Sequence, residues 1–259
     1  MNDYNLFWVN YLLNGYMDKA SKYYLPSYEN ISKPRKGNGQ LFFKNGKWCF
    51  SFAITFELKN EVSSEEKEVG VDRGLKYIAV AGDKEVGKYI HFSGKHIGHI
   101  RRKYSRLRRI FMKNKNMKAL KRLENKEQRI IQYWNHVISK EIVRFAKKQG
   151  ASIIKIEDLK SIRSMKKFWK RSDRNINSWA FFDLEEKLTY KAQLAELEVV
   201  KVNPFKTSQE CSNCGNVVKK NRRGSLYTCS CGYKKDADVN ASFVISTRPS
   251  NEEKAITAT

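Results

Sequence analysis

The chain has 259 residues and a formal charge of +24, from 51 Lys and Arg against 27 Asp and Glu, with 41% hydrophobic and 12% aromatic residues. That composition excludes a disordered polymer, and the length suits one large domain or two small ones. Self-repulsion on this scale points to a polyanionic partner, nucleic acid above all, and no apolar run is long enough to predict a membrane span.

Residues 1–38 show little regular pattern. Over 40–58, Asn45-Gly46 is a preferred hairpin turn, after which Trp48, Phe50, Phe52, Ile54 and Phe56 alternate onto one face and leave Cys49 on the other as a packed thiol. The polar stretch 60–68 reads as a linker. Strands are predicted over 68–82, interrupted at Gly74, and over 88–94. Residues 95–149 are the most basic part of the chain. Apolar residues at helical spacing (Ile130, Trp134, Val137, Ile138, Ile142, Phe145) predict two long antiparallel helices broken around Lys113–Asn116. The basic excess marks this hairpin as a nucleic-acid surface, with Arg101, Arg102, Arg106, Arg108 and Arg109 as contact candidates. A solvated basic face is the alternative.

A short buried strand follows at 151–159, then a basic, Ser-rich loop in which Lys166 and Lys167 are further contact candidates. An amphipathic helix is predicted over 178–197, with Trp179, Leu184, Leu188, Ala192 and Ala195 inward. A strand at 198–204 and a terminal helix at 236–247 complete the pattern, and the tail 248–259 is expected to be disordered.

Between that last strand and helix lie Cys211, Cys214, Cys229 and Cys231. Each pair is followed by a glycine, Gly215 or Gly232, which supplies the positive φ of a tight metal-binding turn. Four thiolates suit a tetrahedral, closed and therefore structural zinc site, and Arg223-Gly224-Ser225 suits the hairpin of a ribbon. Two disulfides or free thiols are the alternatives, and clustering in a protein expected to be cytoplasmic argues against them. The second pair, C-x-C, is one residue short of the usual spacing and is expected to strain its knuckle.

After residue 66 the predicted order is three strands, helices, strand, helix, strand, helix. That is the order of the α/β ribonuclease H-like fold, a mixed sheet with helices on both faces. Within it Asp72 interrupts an apolar strand, Glu157 ends another, and Asp238 opens the last helix. A carboxylate in a core strand is costly unless it is ion-paired, the alternative for Asp72, or coordinates a metal. Oxygen ligands of this kind select Mg²⁺ or Mn²⁺.

The segments VGVDRGLKYIAV, IIKIEDL, VVKVNPFKTSQECSNCG and CGYKKDADVNAS, in this order within about 38–247, resemble the TnpB (OrfB) family of insertion-sequence proteins. These are compact RuvC-type nucleases related to miniature type V CRISPR effectors. The resemblance implies a RuvC site on Asp72, Glu157 and Asp238. It favours Asp238 over Asp236 because Asp238 begins D-x-N-A, which leaves Asp236 as a helix cap or solvated neighbour. It implies a zinc ribbon with Thr207-Ser208-Gln209 as its lead-in, inserted at 205–235 in a RuvC core at 67–247, and a partial wedge-like β-barrel region at 1–66. The implied activity is RNA-guided, metal-dependent DNA cleavage by the product of a prokaryotic or viral mobile element, with a DNA target and a transposon-derived guide RNA as partners and no membrane. Only residues 1–71 precede Asp72, fewer than the family's usual N-terminal lobe. A non-cleaving nucleic-acid binder, either a transposon remnant or a guide-directed repressor, is the alternative.

Overall fold

In the computed structural model, which describes residues 6–12, 31–44, 47–58, 67–159 and 180–250, the chain divides into a unit within Met1–Val62 and another within Ser63–Thr259. The first holds an antiparallel sheet of β1 (Leu6–Leu12), β2 (Ile31–Lys44) and β3 (Lys47–Leu58), in the order β1-β3-β2. The expected hairpin is there, with Lys44 opposite Lys47; the turn residues themselves lie outside the described residues. Phe43 and Trp48 meet edge-on at 5.3 Å between centroids. The side chains of Cys49, Phe52, Ile54 and Phe56 lie outside the description. β1 and the first half of β2 were not expected from the sequence.

The second unit is built on five strands in the order β6-β5-β4-β7-β8. These are β4 (Glu68–Asp72), β5 (Tyr77–Asp83), β6 (Lys88–Ser93), β7 (Ile153–Glu157) and β8 (Glu198–Val202). β4, β7 and β8 run parallel, while β5 and β6 are antiparallel to their neighbours. The sheet is therefore mixed, as the order of elements predicts.

Alternation along β4 divides the two faces of the sheet. Val69 and Val71 join one large core with Ile154 and Ile156 of the sheet, Ile138 and Ile142 of α3 (Lys126–Gln149), and Leu184, Leu188 and Ala192 of α4 (Ala180–Leu194). Gly70 and Gly82, cross-strand partners, face the other way, under α5 (Ala237–Ser246). A Cβ on Gly70 would stand 2.0 Å from the Ser242 carbonyl oxygen and 2.4 Å from the Ser246 nitrogen. The helix backbone thus rests directly on the sheet, a closeness only glycine permits. Every residue of α5 is buried, which explains its lack of a polar face.

The basic hairpin departs from expectation in having three helices: α1 (Lys95–Lys113), α2 (Met117–Leu123) and α3. The first break falls where predicted, and the Asn116 side chain caps α2 by accepting from the Ala119 N–H at 3.0 Å. A second break comes at Asn125, whose left-handed φ of 60° is one that asparagine tolerates better than most residues. Arg108 and Glu127, paired at 2.5 Å, tie α1 to α3 across it.

The predicted helix at 178–197 is α4, with Ala195 partly buried against its core; Trp179 lies outside the described residues. The expected disorder from residue 248 is corrected for its first three residues. Arg248 donates to the carbonyls of Asn203 and Phe205 at 2.7 and 2.8 Å and pairs with Glu210 at 2.5 Å. Ser250 forms a β-bridge with Val202. Residues 251–259 lie outside the description.

Candidate functional site

Because Val71 lies opposite Ile156 in the parallel β4–β7 pair, Asp72 and Glu157 end adjacent strands side by side. Asp238 stands in the first turn of α5, one turn before the Ser242 that rests on Gly70. Asp236 is the N-cap: its carboxylate accepts from the Asp238 N–H at 3.0 Å, leaving the Asp238 carboxylate to point elsewhere. Asp72 feels the charges of the other two acids. Burial first, then the charges of Glu157 and Asp238, push the Asp72 carboxyl up to about 8, with Arg222 opposing. Burial also raises Glu157, against a hydrogen bond from Thr207 and the charges of Arg73 and Arg248. At neutral pH such a group of acids calls for a shared proton or a cation.

Two of the acids have side-chain partners. Glu157 accepts from the Thr207 hydroxyl at 2.5 Å, and its carbonyl accepts from Arg73 at 2.6 Å. Arg73 in turn pairs with Glu185 of α4 at 2.8 Å. Asp238 pairs with Arg222 at 2.7 Å, so an ion pair of the kind weighed for Asp72 falls on its neighbour. Asn240, fully buried two residues on, accepts from the Ser212 N–H at 3.0 Å and donates to the Glu210 carbonyl at 2.7 Å. The D-x-N spacing thus puts the acid and the tether on one turn of helix. Thr207, Arg222, Asn240 and Arg73 are the residues that sequence reasoning did not single out as part of this site. Thr207, Asn240 and Arg73 appeared only within motifs.

The cysteines do converge. Their four sulfurs all lie within 4.8 Å of one another, and among the described residues this is the only such group of three or more potential metal ligands. Cys211 and Cys231 are 3.8 Å apart at sulfur, Cys214 and Cys229 3.6 Å. Gly215 and Gly232 take left-handed φ values of 72° and 86°, as their positions require. The short C-x-C pair does not open the cluster: the Cys229 N–H reaches the Tyr233 carbonyl at 2.9 Å and closes the knuckle. Around it β9 (Arg222–Arg223), β10 (Leu226–Thr228) and β11 (Lys234–Asp236) form a small antiparallel sheet ordered β11-β10-β9. The buried Tyr227 packs between the cysteines and Ala237 of α5.

Arg101, Arg102, Arg106, Arg108 and Arg109 line a groove among α1, α2 and α3, together with Met112 and Met117. Arg108 is engaged with Glu127, and burial lowers the pKa of Arg101. Lys166 and Lys167 lie outside the described residues.

Residues 181–245 match the Cas12f1-like TNB domain. The chain is 31% identical over 215 residues to the CRISPR-associated endodeoxyribonuclease Cas12f1 of Sulfoacidibacillus thermotolerans, covering 76% of this chain and 49% of that protein. It is 34% identical over 136 residues to a TnpB-like protein of Methanocaldococcus jannaschii, 51% of this chain and 49% of that one. The chain thus spans about half the length of these curated relatives. In fold it resembles Cas12f1 as seen by cryo-EM in a complex with sgRNA and target DNA, with a TM-score of 0.61 and 21% identity over 85% of this chain and 68% of that one. The mixed sheet, the order of the motifs and these matches fit the TnpB family, related to the miniature type V CRISPR effectors.

Proposed function

We propose that this chain is a RuvC-type, RNA-guided and metal-dependent DNA endonuclease of a mobile element. The observation that supports this reading is that Asp72 and Glu157 end adjacent strands, with Asp238 in the first turn of α5, near enough for the charges of Glu157 and Asp238 to act on Asp72, although among the described residues only the cysteines draw together as tightly as ligands of one ion. The fit to Mg²⁺ or Mn²⁺ rests on the donors, which are carboxylates, that of Asp72 pushed up to about 8 by burial first and then by the other two. Bound there, two such ions would supply Lewis-acid stabilisation of the attacking and leaving oxygens of a phosphodiester. The chain's own part is to aim the carboxylates. Thr207 orients Glu157, Arg73 holds the end of its strand, and Arg222 places a positive charge beside Asp238 that can accompany a phosphate.

The four cysteines fit a structural zinc. Sulfurs at about 2.3 Å from a central ion in tetrahedral array stand about 3.8 Å apart, close to the separations found here. No ligand position remains for substrate, so the ion's contribution is to fold the ribbon that carries Arg222 and leads into Asp238.

The test is cleavage of labelled single-stranded DNA with Mg²⁺, with and without a co-expressed RNA. The wild-type chain is expected to cut, and Asp72→Ala to lose about two orders of magnitude or more. A specific observation favours a second reading, a non-cleaving nucleic-acid binder: Thr207 and Arg222 already occupy two of the acids. Wild-type protein that binds DNA but leaves it intact in Mg²⁺ and in Mn²⁺ would establish that reading instead.

A further inference from the structure

The face of the sheet that carries Asp72 continues past α5. Asp72 pairs with Val80 on β5, and Val80 pairs with His91 on β6, so the three side chains point to one face in a single cross-strand row. The next row on that face is Gly70, Gly82 and Tyr89. Two strand spacings of about 4.8 Å each put His91 roughly 10 Å from Asp72. β6 is the outer strand of its sheet. His91 is exposed there, and Tyr89 keeps 43% of its surface in water.

These rings form a row. Tyr77 and His91 meet edge-on at 4.8 Å, and His91 and Tyr89 are stacked at 6.3 Å with planes 29° apart. Lysines flank it. Lys76, ion-paired with Asp236 at 3.0 Å, lies over the Tyr77 ring at 4.4 Å, and Lys235, reaching from the ribbon, lies 5.0 Å from the Phe243 centroid and 5.9 Å from that of Tyr89. Aromatic faces with cations beside them, on the face that carries Asp72 and separated from it by Val80 buried under α5, match the two parts of an unpaired nucleic-acid strand: bases that stack and phosphates that pair.

We propose that Tyr77, His91 and Tyr89, with Lys76 and Lys235, form a stacking track for unpaired DNA leading to the acidic site. The choice of DNA rests on the nuclease reading, whereas the stacking chemistry does not. The track explains why an edge strand displays aromatic rings on the face that carries Asp72. It also accounts for the reach of Lys235, since the ribbon then supplies a cation on one side of the track and the sheet supplies Lys76 on the other.

The test is binding of a fluorescein-labelled oligothymidylate of about ten nucleotides to the full chain. Ca²⁺ replaces Mg²⁺, so that binding is read without cutting. Tyr89→Ala and, separately, His91→Ala are expected to weaken binding about five-fold or more, while Tyr89→Phe, which keeps the ring, stays within about two-fold of wild type. An oligonucleotide carrying 2-aminopurine should be quenched by wild type and by Tyr89→Phe, and less by Tyr89→Ala. Unchanged melting temperatures keep the loss from being read as misfolding. The track is overturned if both alanine variants bind as wild type does, if Tyr89→Phe is as weak as Tyr89→Ala, or if the alanine variants lose affinity for oligouridylate but not for oligothymidylate. Wild-type chain that never cuts DNA, yet shows the ring-dependent binding, refutes the nuclease and leaves the track standing.

Discussion

Asp72 is held at about 8 because burial and two neighbouring carboxylates act in the same direction. A folded pKa above the unfolded value of 3.8 means that the folded chain keeps a proton that the unfolded chain has released. Asp72 therefore costs the fold stability as pH rises through that window, and costs nothing below it. In buffer with no added divalent cation, Asp72→Asn is expected to melt higher than wild type at pH 8, with the gain vanishing towards pH 4. Added Mn²⁺ should raise the wild-type melting temperature and leave the variant nearly unmoved. A variant that melts lower than wild type at pH 8 would contradict this account of the site. The acids were legible in the sequence because each marks its own element: an acid in an apolar strand, one at a strand end, one in a first helical turn. Their partners were not. Thr207 meets Glu157 across 50 residues and Asn240 meets Glu210 across 30, separations that no local pattern encodes.

At the level of elements, everything turns on how closely α5 lies on β4. The clash at Gly70 involves backbone atoms, whereas at Gly82 a Cβ would meet the Ser242 hydroxyl and the Phe243 ring, which can swing aside. Gly70→Ala is therefore expected to destabilise the chain by about 1–3 kcal/mol or more, and Gly82→Ala by less. Cleavage should fall in the same order, since lifting α5 moves Asp238. Thermal melts and single-turnover cutting of both variants check this, and equal effects would refute it. The strand–helix order of this unit could be read from periodicity alone. The second break in the hairpin could not, because it depends on one asparagine adopting a left-handed backbone inside an otherwise helical pattern. The strand β1 was missed for a similar reason: its pairing with β3 reaches across some forty residues, and its own sequence, LFWVNYL, reads equally well as helix.

Over the whole molecule, a charge of +24 predicts that the proposed affinity for nucleic acid is steeply salt-dependent. The groove among α1, α2 and α3 concentrates that charge, yet Arg108 already answers Glu127. Replacing Arg102, Arg106 and Arg109 together with alanine is expected to reduce the slope of log affinity against log salt by roughly two to three, whereas Arg108→Ala alone should change it little. Anisotropy titrations over a range of salt concentrations measure both, and an unchanged slope in the triple variant would remove the groove from the nucleic-acid surface.

The anchored stretch after α5 bears on how the chain can be shortened or extended. Arg248 holds the carbonyls of Asn203 and Phe205 and the carboxylate of Glu210, so it spans the loop in which Thr207 sits. A stop codon just after Ser246 would spare Asp72, Glu157, Asp238 and every cysteine. It would nevertheless free that loop and, through Thr207, let Glu157 wander from its aim. Tags and fusion partners therefore belong beyond Ser250, where the β-bridge to Val202 is already made.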